Sequence, residues 1–237
     1  MIDNIKILCI IPARTGSKGI LNKNIMDFKG KPLLSWSIEH AQQSKYSNNI
    51  KIIVSTDSEK YAEISKQYGA EVPFLRPKNI SGDTSSDFEC IKHCVDWLKE
   101  NENYEPDIIL HLRPTQPCRK IEHVNLAIET FINNRGKYDS LRSVIPVEKS
   151  PYKMYSINND ELKPLFCEVN NIKEPYNQAR QLLPQCYLHN GYIDILNTDI
   201  LTNNTISGTK MYPFVMDMDN NIDIDEEKDI PLESKSI

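Results

Sequence analysis

The chain has no cationic excess: 28 Lys and Arg stand against 33 Asp and Glu in 237 residues, giving a formal charge of −5. A domain that grips a nucleic-acid backbone is ordinarily basic, so no nucleic-acid partner is expected and any nucleotide bound should be a small molecule. No apolar stretch approaches the length of a membrane span, so no membrane partner is expected either. A basic n-region is missing from the N-terminus, which runs from Ile5 to Ile11 into Pro12-Ala13-Arg14 and reads as a first strand, not a secretory signal. Paired CxxC spacing is missing too. The six cysteines (Cys9, Cys90, Cys94, Cys118, Cys167, Cys186) are scattered and read as reduced thiols of a cytoplasmic protein. Cys90 and Cys94 flank His93 at one-turn spacing and are read as packing one helix face in preference to holding a metal. Neither an internal repeat nor a low-complexity tract occurs.

What is present is a soluble globular composition, 39% hydrophobic and 26% charged, in a chain long enough for one sizeable domain and too short for two, so residues 1–237 are taken as one unit with one active site. Short β-branched runs alternate with longer amphipathic ones: Ile5 to Ile11, Leu33 to Ser44, Ile50 to Ser55, Glu59 to Tyr68, Asp87 to Leu98, Ile108 to Leu112 and Ile121 to Ile132. That alternation predicts an α/β fold, a mostly parallel sheet with helices on both faces. Pro32 suits the start of one helix, and Gly69 the left-handed C-terminal stop of another that begins near Asp57. After Val147 the helical period is lost. Residues 148–186 are rich in Pro, Asn and Tyr and read as an inserted arm with hairpin strands near Tyr152 to Ile157, after which α/β signals resume at Tyr192 to Leu196.

Two clusters invite chemistry. Pro12-Ala13-Arg14-Thr15-Gly16-Ser17-Lys18-Gly19, followed by Asn22-Lys23-Asn24, lies just after the first strand. It is neither a Walker loop nor GxGxxG. Ligands of open α/β sheets collect at the carboxyl ends of strands, where a glycine-containing cationic loop suits a polyphosphate; a solvated basic turn would carry the same composition. In Asp217-Met218-Asp219 and Asp223-Ile224-Asp225, residues i and i+2 share a face when extended, so either pair can present two carboxylates to Mg²⁺, or simply form an acidic surface turn. Leu112-Arg113-Pro114-Thr115-Gln116-Pro117, Asp83-Thr84-Ser85-Ser86, Arg180-Gln181 and Asn190-Gly191 each read alone as a turn, a helix N-cap or a surface segment.

Taken in order, Ile11-Pro12-Ala13-Arg14, Ser17-Lys18-Gly19, Lys23-Asn24, Val54-Ser55-Thr56-Asp57, Leu75-Arg76-Pro77, Asp83-Thr84-Ser85-Ser86, Arg113-Pro114-Thr115-x-Pro117, Arg180-Gln181-x-Leu183-Pro184, Asn190-Gly191 and Ile222-Asp223-Ile224-Asp225 form a string from about residue 5 to 230. It resembles the acylneuraminate cytidylyltransferases, the CMP-sialic acid synthetases and their legionaminic and pseudaminic relatives. The resemblance implies a Rossmann-like nucleotidyltransferase fold whose inserted arm, residues 148–186, crosses to the partner of a homodimer. It implies catalytic roles for Arg14, Lys18, Asp223 and Asp225. CTP would be held by Arg14, Lys18, Lys23 and Asn24 at its phosphates and by Arg76, Ser85 and Ser86 at its cytosine and ribose. An acidic nine-carbon sugar would meet Arg113, Lys153, Arg180 and Asn190, and Mg²⁺ would sit on Asp223 and Asp225, with Asp217 and Asp219 outside the metal's ligand set. The expected reaction is attack of the sugar's anomeric hydroxyl on the α-phosphorus of CTP with loss of pyrophosphate. Two positions depart from the sialic acid enzymes: Arg113 stands where Gln is usual, and Asp194 where an aromatic follows Asn-Gly. Both bear on the sugar. The competing expectations are an enzyme acting on the eight-carbon acid Kdo and a metal-dependent glycosyltransferase; the Arg14 and Lys18 loop speaks against the latter, since glycosyl transfer releases no pyrophosphate.

Overall fold

The computed structural model describes residues 4–17, 19–217 and 222–230. Strand β1 (Ile7–Pro12) leads through a small ribbon, β2 (Asp27–Phe28) with β3 (Lys31–Pro32), into α1 (Leu33–Gln42), β4 (Ile50–Ser55) and α2 (Glu59–Gln67). Then follow α3 (Asp87–Glu102), β5 (Ile108–His111), α4 (Ile121–Asn133) and β6 (Ser140–Pro146). The chain next makes two short hairpins, β7 (Tyr155–Asn158) with β8 (Glu161–Pro164) and β9 (Glu168–Val169) with β10 (Ile172–Lys173), and returns through β11 (Tyr187–Asn197) and β12 (Met211–Val215).

The central sheet has the order β12-β6-β11-β5-β1-β4. β1 pairs in parallel with β4 and β5, and β12 with β6, whereas β11 runs antiparallel to both β5 and β6. The expected mostly parallel α/β sheet is therefore the observed one, with a single reversed strand. The reversal has a simple origin. The arm joins β6 to β11 without a crossover helix, and a connection of that kind lets two neighbouring strands pair only as a hairpin does.

Alternation along β1 divides the core. Ile7, Cys9 and Ile11 face α1, α2 and α4, with Leu34, Ile38, Tyr61, Val124, Ile128 and Phe131. Leu8 and Ile10 face α3, where Cys90, Ile91, Cys94 and Leu98 are buried. The two cysteines thus pack one helix face. Helix α3 starts at Ser86, whose hydroxyl accepts from the Glu89 amide while the Glu89 carboxylate accepts from the Ser86 amide, a capping box worth on the order of 1 kcal/mol. Gly69, at φ +89°, ends the turn after α2 as expected.

The arm's hairpins turn at Asn159-Asp160 (φ 48° and 64°) and Asn170-Asn171 (φ 46° and 64°), the paired left-handed residues of a type I′ turn. Strand β11 begins at Tyr187, five residues before the alternation at Tyr192 announces it, because a bulge interrupts its period. His189 pairs with Val144 and Asp194 with Arg142, so residues 190–193 stand opposite Ser143 alone. The displaced backbone groups find partners: the Ile193 amide donates to Ser143 Oγ (2.9 Å), the Tyr192 amide to Asn190 Oδ1 (3.3 Å), and Arg119 Nε to the Tyr192 carbonyl.

Candidate active site

A cleft of about 660 Å³ opens where β1, β4 and β5 end, at the carboxyl edge of the sheet. Its floor is made by Pro12 and Arg14 after β1 and by Arg113, Pro114 and Thr115 after β5; Arg76, Ser85 and Ser86 form one wall, and Asn190 with Gly191, the apex of the bulge, another. Lys23, Asn24, Asp223 and Asp225 close it.

The loop after β1 is fixed at both ends. Asp57, just beyond β4, accepts from the Thr15 amide (2.7 Å) and the Thr15 hydroxyl (2.6 Å), and Asn24 Nδ2 donates to the Arg14 carbonyl (3.0 Å). Burial alone would raise the Asp57 pKa, but the two bonds from Thr15 hold it below the usual carboxylate value, so the clamp is ionised at neutral pH. Arg14 lines the cleft and pairs with Asp83 at 3.2 Å. Lys18 lies outside the described residues. Gly19 is required by close approach: a Cβ there would lie 2.2 Å from the Asp225 carbonyl oxygen.

The acidic segment is pinned between its two aspartates. Ile224 is buried against Phe28 and Leu33, and its amide donates to the Thr115 carbonyl (2.9 Å), so Asp223 and Asp225 are held at the cleft. Burial raises the Asp223 pKa against a hydrogen bond from Thr115, with Asp225 adding to the rise, and Asp223 Oδ1 is buried with no partner. Asp225 is exposed and accepts from Lys23 Nζ at 2.7 Å. A buried carboxylate oxygen without a donor, beside a second carboxylate, fits a hard divalent cation. Among the described residues no group of three or more His, Cys, Asp or Glu is placed to hold a metal ion, so the protein would supply two carboxylates and leave other positions to phosphate and water. Asp217 is exposed and outside the cleft; Asp219 lies outside the described residues.

Several expected ligand residues are already engaged. Arg76 is buried and donates from Nε to Ser55 Oγ (3.0 Å) and from Nη2 to the Ser55 carbonyl, so one edge of its guanidinium ties the wall to β4. Ser86 caps α3, and Ser85 Oγ accepts from the Gly82 amide at 2.9 Å. Arg113 donates from Nη1 to Asp194 and from Nη2 to Asp87, both at 2.7 Å. The two positions that depart from the sialic acid pattern are thus bonded to each other. Burial would raise the Asp194 pKa, but a hydrogen bond from His189 (2.9 Å) and the Arg113 charge drive it far below the ordinary carboxylate range. Lys153 and Arg180 are not in the cleft of this chain: Lys153 donates to the Tyr176 and Gln178 carbonyls (3.3 and 2.6 Å), and Arg180 borders a small cavity beside Val147 and Cys186.

Sequence reasoning gave no role to Asp57, Asp87, Arg119, Arg142 or His189. Asp57 carried a signal, as the last residue of the Val-Ser-Thr-Asp string. Arg119 carried none. It is buried, donates to the Arg113, Gln116 and Tyr192 carbonyls and to Ser37 Oγ, and so holds the strand-end loop rigid; burial lowers its pKa to about 9.

Residues 8–179 match the family described as cytidylyltransferase. The chain is 33% identical to post-translational flagellin modification protein B of Campylobacter coli, over 96% of this chain and 93% of that one. It is 32% identical to CMP-N,N'-diacetyllegionaminic acid synthase of Campylobacter jejuni, again over 96% and 93%. It is 34% identical to N-acylneuraminate cytidylyltransferase of Escherichia coli O18:K1:H7, where 96% of this chain spans 51% of the other. Among solved structures, a CMP-2-keto-3-deoxy-manno-octonic acid synthetase superposes with TM-score 0.66 over 94% of both chains at 17% identity, which shows a common fold.

Proposed function

The chain belongs to the cytidylyltransferase family, and from that premise we propose that it transfers CMP from CTP to the anomeric hydroxyl of an acidic nine-carbon sugar of the sialic, legionaminic or pseudaminic kind, releasing pyrophosphate. The observation that carries this reading is the meeting, in one cleft, of the Arg14 loop with the Asp223 and Asp225 carboxylates, locked together by the Gly19 contact. A polyphosphate needs the first and its metal the second.

In this reading Arg14, Lys18 and Lys23 neutralise the triphosphate and orient it, with Asn24 and Asp57 holding the loop in place. Asp223 and Asp225 hold Mg²⁺, which when bound would offset charge building on the phosphate oxygens. One of these two carboxylates also takes the hydroxyl proton. Cytosine and ribose lie along Arg76, Ser85 and Ser86; the sugar lies toward Asn190 and Arg113.

The arm, residues 148–186, makes the enzyme a homodimer and carries Lys153 and Arg180 to the partner's cleft. Support comes from its exposed apolar side chains, among them Ile157, Leu162, Leu165 and Phe166, which a second copy of this chain would cover. All six cysteines are free, in keeping with a cytoplasmic enzyme, and among the described residues no helix is long and apolar enough to cross a membrane. The test is a pyrophosphate-release assay of CTP with sialic, legionaminic, pseudaminic and Kdo acids. Turnover with a nine-carbon acid is expected, and no release with any of the four would overturn the proposal.

A further inference from the structure

A second cavity, of about 440 Å³, adjoins the cleft. The two share Ser86, Asp87, Arg113 and His189, and the second touches none of Arg14, Lys23, Asp223 or Asp225. It therefore opens from the end of the cleft remote from the phosphate and metal groups. Its far side consists of Arg142 on β6 and Asn204, Thr205, Ile206 and Ser207 from the turn before β12.

The chemistry of this lining is that of a site for a neutral polar group with a small apolar part. Arg113 gives one hydrogen from each terminal nitrogen to a carboxylate, which fixes its guanidinium between Asp87 and Asp194. Arg142 is less constrained. Among the described residues its one ion-pair partner is Asp194, 3.5 Å from Nε, and its side chain keeps 26% of its surface open. The turn opposite is preorganised: Thr205 Oγ1 accepts from the Ser207 and Gly208 amides (3.1 and 3.2 Å), and Ser140 Oγ donates to the Ser207 carbonyl (2.6 Å). Ile206 adds an apolar surface packed on the α3 side of the core.

We propose that this cavity is the subsite for the outer, exocyclic end of the acidic sugar, and that Arg142 donates to its acyl carbonyl or hydroxyl oxygens. The inference rests on the reading of the cleft given above. The reacting anomeric carbon must lie at the phosphate end, so the opposite end of an elongated acceptor points across Arg113 and His189 into the second cavity. Arg113 stands between the two, and it and Asp194, to which it is bonded, act as positioning residues.

The test is two-substrate kinetics on wild type, Arg142→Ala and Ser207→Leu, with an acylated nine-carbon acid and with Kdo, which is a carbon shorter and has no acylamino group. Ser207→Leu narrows the cavity without removing a side-chain hydrogen bond, and Arg142→Ala leaves Asp194 its bonds to Arg113 and His189, so each should keep the wild-type melting temperature. Both should raise KM for the nine-carbon acid roughly tenfold or more, as loss of a charge-assisted hydrogen bond or of fit implies, while KM for CTP and for Kdo stays near wild type. Unchanged KM for the nine-carbon acid in both variants, or a rise confined to CTP, overturns the subsite. A wild type that releases no pyrophosphate with any acid overturns the reading of the cleft itself.

Discussion

A methyl group added at Gly19 would lie 2.2 Å from the Asp225 carbonyl oxygen, where Cβ atoms essentially never approach within 3.0 Å. The effect argued for Gly19→Ala is this collision. The nearby Glu226 Cγ, at 3.7 Å, is no obstacle; the obstruction is main chain and cannot rotate away. The loop after β1 and the segment carrying Asp223 and Asp225 must therefore separate by about 1 Å, which at a phosphoryl-transfer site costs on the order of 100-fold in rate, or about 2.7 kcal/mol of transition-state stabilisation. Neither segment belongs to the sheet, so melting should change little. Initial rates of pyrophosphate release over a Mg²⁺ titration should show kcat/KM for CTP down by roughly that factor and the Mg²⁺ requirement raised. Gly30→Ala, at φ +86° with nothing within 4 Å, is the control that adds strain without collision, and its kinetics should be near normal. A Gly19→Ala enzyme with wild-type kcat/KM and Mg²⁺ dependence would refute the packing of the two segments as described.

Asp223→Asn or Asp225→Asn should depress kcat and raise the Mg²⁺ requirement while Asp217→Asn behaves as wild type; the reverse ranking in a Mg²⁺ titration would show the wrong acids assigned to the metal. Replacing residues 148–186 by a short turn should give a monomer without activity, which sedimentation at micromolar concentration checks against a dimeric parent. Burial lowers the pKa of His111 to about 4 and of His40 to about 3, so below pH 6.5 the unfolded chain takes up protons that these folded histidines refuse. Stability should accordingly be fully present above pH 6.5 and fall as pH drops toward 4, by roughly 1.4 kcal/mol per pH unit for each histidine at most. Urea midpoints that stay level from pH 7 to 5 would contradict this.

The sheet and its helices were legible because their signals are local: each of β1, β4, β5 and α1 to α4 carries its own period, and the core needs little else. The cleft was legible in part for the same reason, since the Arg14 loop and the Asp223 to Asp225 alternation are contiguous strings. What stayed hidden depends on pairs distant in sequence. Nothing in Arg113 or Asp194 alone says that they bond, and Arg113, expected to meet the sugar, is occupied by Asp87 and Asp194. Arg119 looks like any surface cation until the fold buries it under four acceptors. Arg142 sits in a strand whose alternation marks it only as outward, and the cavity it faces exists only once the turn before β12 is in place.

The reversed direction of β11 also settles how freely the arm can change. Pro146 and Tyr187, the residues at its two roots, are cross-strand partners, so the chain leaves and re-enters the sheet about 5 Å apart whatever lies between. Lengthening, shortening or exchanging the arm leaves every register of the sheet untouched. A single residue inserted three or four positions further on, between His189 and Asp194, would instead re-phase the bulge and turn Asn190 and Asp194 from their partners. Tolerance and intolerance to insertion therefore meet within a few residues of one strand.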